Sequence, residues 1–79
     1  MSSMKKEWLK EFDCLGEILT NLRNSKNWTQ TDVANKLNIK YQSYQAYERG
    51  IAVPTLQNFI KLADLYDVSL DYLIGRKDI

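Results

Sequence analysis

Gln42 and Gln45 lie three residues apart, just behind Lys40 and Tyr41, in the segment Lys40-Tyr41-Gln42-Ser43-Tyr44-Gln45-Ala46-Tyr47-Glu48-Arg49-Gly50. A side-chain amide donates and accepts hydrogen bonds from one planar group, so two of them on an outward polar face suit hydrogen-bonded recognition of a partner. Bond-breaking chemistry has no comparable set of residues. The chain has no His for general-base work, its lone Cys14 has no such partner, and neither a Gly-rich phosphate loop nor a carboxylate pair with a reason to be close is present. No cysteines or histidines stand at metal-ligand spacing either, so the expectation is no catalytic residue, no metal and no cofactor, with Cys14 a small core or surface thiol.

Such a face must be carried on a helix that its neighbours hold in place. The spacing predicts that helix over Tyr41 to Arg49, ended by Gly50, the preferred residue just past a helix terminus. A shorter helix is predicted before it, from Gln30 to Leu37, where Thr29 and Asp32 form a capping-box pair and the carboxylate also meets the positive helix end. Asn38 tolerates the left-handed conformation needed where the chain reverses, and Ile39 plugs the turn into the core.

Upstream, Trp8, Phe12, Leu15, Leu19 and Leu22 recur at steps of four and three, the period of a helix with one buried stripe. A first helix over about residues 15–25 follows, and it either extends back toward Lys5 or is broken near Asp13 and Gly16. Downstream, Pro54 and Thr55 open a fourth helix with Leu56, Phe59, Ile60, Ala63 and Tyr66 inward and Asp67 closing it. Ser69 caps a last short helix through about Ile74, which Gly75 ends. With no strand alternation or repeat, the expected class is all-α, five helices in one bundle.

Seventy-nine residues make one domain, because a chain of this length buries only about 60% of its unfolded surface. No apolar run approaches the ~18 residues of a membrane span, and no secretory signal follows Met1-Ser2-Ser3-Met4-Lys5-Lys6, so a cytoplasmic location is expected. Net charge is only +1. Placement matters more than the sum: residues 27–50 carry Lys36, Lys40 and Arg49 against Asp32 and Glu48, whereas residues 51–79 are slightly acidic.

Leu15-Gly16-Glu17, Leu22-Arg23, Gln30, Val33-Ala34, Leu37, Tyr47-Glu48-Arg49-Gly50, Pro54-Thr55-Leu56, Lys61-Leu62-Ala63 and Val68-Ser69-Leu70-Asp71-Tyr72-Leu73-Ile74-Gly75 fall in one register. In that register the chain resembles the Cro/repressor-type (Xre, lambda-repressor-like) helix-turn-helix proteins. The match covers most of the chain, which makes it far more specific than a bare helix-turn-helix. It implies an N-terminal arm or extension of the first helix over 1–14, a helix-turn-helix DNA-binding domain over 15–75 and a C-terminal tail over 76–79.

The resemblance further implies sequence-specific binding of double-stranded DNA by a transcriptional regulator, most naturally a repressor of bacterial or prophage genes. Lys40, Tyr41, Gln42, Gln45 and Ala46 are then the base-contacting residues. Gln42 comes first among them, because its amide can pair bidentately with adenine N6 and N7, which discriminates by about 1–3 kcal/mol. Gln30, Lys36, Ser43, Tyr44 and Arg49 are the phosphate-contacting set, Tyr44 being either core or, through its hydroxyl, a phosphate ligand. Arg23 and Glu48 are the structural ion pair.

Ala34 is expected to be small so that the two helices of the motif can cross closely. Lys40 stands where the family has a hydroxyl cap, and Ile51-Ala52-Val53 stands where it often has cations, with Ile51 and Val53 expected to pack under the fourth helix, the alternative being an exposed protein contact. Phosphate anchoring is therefore thin, a salt slope of about −3 to −4 per monomer is expected, and tight binding requires a homodimer on a palindromic operator. The last helix (Leu70, Tyr72, Leu73, Ile74) and the Trp8 end are the candidate dimer surfaces. No small-molecule effector is expected. A module of this fold can instead bind protein, as an antitoxin or anti-repressor does, and the near-neutral charge favours that alternative.

Overall fold

The computed structural model describes residues 13–76. Five helices follow in order: α1 (Asp13–Ser25), α2 (Gln30–Leu37), α3 (Tyr41–Arg49), α4 (Leu56–Tyr66) and α5 (Leu70–Leu73). No strand occurs among the described residues. The contacts expected of Trp8 and Phe12, the extension of the first helix toward Lys5 and most of the tail lie outside them.

Local chemistry sets the helix ends. Thr29 Oγ1 accepts from the Asp32 N–H at 3.0 Å while Asp32 Oδ2 accepts from the Thr29 N–H at 2.9 Å, so two orphan donors at the start of α2 are satisfied reciprocally. Those bonds also hold the Asp32 carboxyl below its ordinary pKa. Asn38 closes α2 with φ 57° and Gly50 closes α3 with φ 74°, the left-handed conformation that lets the chain turn sharply. Thr55 and Ser69 cap α4 and α5 through their hydroxyls.

α1 packs on α3, α3 on α2 and α2 on α4, around a core that includes Leu15, Leu19, Val33, Ala34, Leu37, Leu62 and Leu73. Ile39 lies half-buried against this core, as the turn requires. Gly16 does not break the first helix. It is buried inside α1, where the backbone of Tyr47 and Glu48 comes so close that there is no room for a Cβ.

The inner face of α4 is narrower than expected. Phe59, Leu62, Ala63 and Tyr66 form the inward stripe, while Leu56, in the first turn, is 71% exposed and Ile60, about 100° around the axis from Phe59, is also exposed. Ile51 and Val53 are exposed as well rather than packed under α4, and Leu73 is core rather than available surface.

Three buried tyrosines carry hydroxyls, and each finds a partner. Tyr44 and Tyr66 share a buried hydroxyl–hydroxyl hydrogen bond of 2.9 Å, and the Asn58 amide donates to the Tyr47 hydroxyl at 3.0 Å. Burial pushes both Tyr44 and Tyr66 above the ordinary phenol range, so neither ionises near neutral pH. Tyr44→Phe is expected to cost about 1–2 kcal/mol in urea unfolding, because it leaves the Tyr66 hydroxyl buried without its partner. The double change Tyr44→Phe/Tyr66→Phe should be closer to wild type than either single change, and additive losses would show the bond to be unimportant.

Candidate nucleic-acid interface

α3 divides cleanly between core and surface. Tyr44 and Tyr47 point inward, whereas Tyr41, Gln42, Gln45, Ala46 and Arg49 share the opposite side within an arc of roughly 140°. Tyr41, Gln42 and Arg49 are exposed, Gln45 and Ala46 are half-buried, and Lys40 stands exposed at the N-cap with no side-chain cap bond. Among the described residues nothing lies over this face, so its hydrogen-bonding edges are open to a partner. Ser43 is half-buried at the edge of the face.

Tyr44 does not join it. Its side chain is 0% exposed and its hydroxyl is committed to Tyr66, so the expected phosphate contact is ruled out by packing. Its helical position, between α1 and the α4 core, decides this over its polar tip.

Two of the other expected phosphate contacts, Gln30 and Lys36, are held by contacts within the fold. Gln30 Nε2 donates to Glu48 Oε1 at 2.9 Å and its Oε1 accepts from the Tyr41 hydroxyl at 3.2 Å, which leaves one amide N–H uncommitted. The Lys36 ammonium sits 4.6 Å from the centroid of the Trp28 ring, with Lys26 over the same ring at 5.5 Å. At the start of α2 the Asp32 carboxylate opposes an approaching anion.

Behind the face, Arg23 and Glu48 bind bidentately: Nε to Oε2 at 2.7 Å and the terminal nitrogen Nη2 to Oε1 at 3.1 Å. Arg23 Nη1 donates to the Trp28 carbonyl at 3.0 Å, tying α1 to the approach of α2 as well as to α3. The two side chains are 15% and 4% exposed, so Arg23 is held in the structure and does not reach the face. Burial pushes the Glu48 carboxyl upward, but hydrogen bonding from Arg23, Tyr44, Gln30 and Thr20 outweighs it and holds the group below its usual range. The roles of Thr20 and Gln30 around Glu48 leave no local trace in the sequence, since they join residues 28 and 18 positions apart. The bond from Gln45 to the Tyr41 hydroxyl was available from their i,i+4 spacing.

The helix-turn-helix family pattern matches residues 19–73, which includes most of the core and both helices of the motif. The chain belongs to the helix-turn-helix family. Its fold is the all-α, five-helix, lambda-repressor-like one. The chain is similar to the cryptic phage CTXphi transcriptional repressor RstR of Vibrio cholerae, at 42% identity over 60 residues, 76% of this chain and 54% of the relative. It is also similar to two HTH-type transcriptional regulators of Bacillus subtilis: ImmR, 38% identical over 65 residues (82% of this chain, 51% of the relative), and AnsR, 42% over 59 residues (75% and 51%). This helix-turn-helix chain thus spans about half the length of the curated relatives it matches.

Proposed function

We propose that this chain is the sequence-specific DNA-binding module of a transcriptional regulator, a repressor of bacterial or prophage genes acting in the cytoplasm. It would place α3 in the major groove of double-stranded DNA. The observation that carries this reading is the face of α3 that no described residue covers, where two amides and a tyrosine flanked by Lys40 and Arg49 stand opposite the core. An α-helix fits the groove, and amides near its start reach base edges. The regulators and repressor it resembles support the same conclusion.

One module offers few phosphate contacts, so the operator is palindromic and the bound species a homodimer in this reading. Apolar surface is left exposed for such a contact at Ile51, Val53, Leu56 and Ile60, directly after α3 in the chain, and at Leu70. Sedimentation that finds only monomer at tens of micromolar, with and without operator, removes the dimer.

Selection from randomised duplexes at moderate salt is the test. The protein is expected to enrich one sequence, Gln42→Ala to relax choice at one base pair by about 1–3 kcal/mol, and Lys36→Ala to weaken all sequences alike with a salt slope lower by about 1. Failure to enrich any sequence would overturn the proposal and leave protein binding as the use of this face.

A further inference from the structure

Glu48 is an acceptor only, and that single fact propagates outward to the recognition face. Because a carboxylate offers no proton, Gln30 must turn its amino group toward Glu48 Oε1, as it does at 2.9 Å. The Gln30 carbonyl then faces the Tyr41 hydroxyl, which donates its one proton there at 3.2 Å. With that proton spent, Tyr41 can only accept from its i+4 neighbour, and Gln45 Nε2 donates to it at 3.2 Å. Every link has one permitted direction once the first is set.

We propose that the chain Glu48, Gln30, Tyr41, Gln45 is a polarity relay that fixes which edge of the Gln45 amide faces a DNA base, making Gln30 and Tyr41 positioning residues for readout by Gln45. The inference rests on the DNA-binding reading above and adds to it an ordered reader. With one N–H held by Tyr41, Gln45 presents its carbonyl oxygen and its second N–H together. That pair matches adenine, whose N6 amino group donates while N7 accepts. A flipped amide would present the opposite order and mismatch the same edge. Gln42 differs, because among the described residues no hydrogen bond holds its amide and it must be ordered when DNA arrives. Gln45 therefore supplies the sharper discrimination of the two.

The relay is tested by Tyr41→Phe, which removes one exposed hydroxyl and keeps the ring, beside Gln45→Ala. Both are compared with wild type by selection from randomised duplexes, and the Gln45 side-chain amide is followed by NMR in the free protein. The relay predicts that both variants lower preference about tenfold at the same base pair, with preferences elsewhere and the salt slope unchanged. It also predicts that Tyr41→Phe brings the mobility of the Gln45 amide up to that of Gln42. An unchanged thermal midpoint checks that the fold is intact. If Gln45→Ala relaxes one position and Tyr41→Phe leaves it sharp, or if Tyr41→Phe acts at a different base pair, the relay is wrong while the DNA-binding reading stands. If wild type selects no sequence, the DNA-binding reading fails and base readout by Gln45 falls with it.

Discussion

Arg23→Ala is expected to lower the unfolding free energy by about 3–5 kcal/mol, because it removes the one cation that, among the described residues, is bound to a carboxylate only 4% exposed. A domain of this size has only about 4–12 kcal/mol in total, so the variant should be marginal at room temperature. Other bonds to Glu48 survive, those from Thr20 and Gln30 among them, which argues for the lower end of the range. The loss reflects a stranded charge more than the worth of the pair, so replacing both residues with apolar side chains should recover much of it.

The pH dependence separates these effects. The Glu48 carboxyl is held below its ordinary value of 4.5 in the fold, so its contribution is present above about pH 4.5 and is lost as pH falls through the depressed value. Arg23→Ala removes the main bond that lowers it and leaves burial to raise it. The stability gap between wild type and variant should therefore be widest at neutral pH and narrow in acid. Urea unfolding at pH 7 and pH 3 measures this, and an equal gap at both would show that Arg23 acts through packing of its stem.

Gly16→Ala is expected to destabilise by about 2–3 kcal/mol, against the usual sign for this change within a helix. Alanine ordinarily gains about 1 kcal/mol over glycine in a helix interior. Here the new Cβ would collide with the Glu48 carbonyl oxygen and lie 2.9 Å from its carbon and 3.1 Å from the Tyr47 carbonyl oxygen. These are backbone atoms of α3 and cannot swing aside, so α1 and α3 must separate. Overpacking of this kind costs about 1–3 kcal/mol, sometimes more, and here it also pulls on the Arg23–Glu48 clamp. A melting temperature at or above wild type would show that the two helices yield without penalty.

What the sequence determined by itself was local: where α2, α3, α4 and α5 start and stop, through Thr29 with Asp32, Asn38, Gly50, Thr55 and Ser69. Cap chemistry and φ preference act within a few residues, so they can be seen without knowing what lies across the molecule. The polar face of α3 was legible for the same reason, since helical period alone places Gln42 and Gln45 away from Tyr47. The register of the whole chain carried the family.

Tertiary structure decided whatever depends on a neighbour from elsewhere in the chain. Tyr44 is equally a core ring and a surface hydroxyl until Tyr66 arrives to share its proton. Gly16 is a helix breaker by propensity and a contact point only because the backbone of α3 crosses there. Leu56 and Ile60 have the right residue type for a core that ends before reaching them. Gln30 is a loose surface amide until Glu48, 18 residues on, dictates which way it turns. Periodicity can assign a side to each helix, but how wide that side is and which polar tips it satisfies are properties of the surfaces that meet.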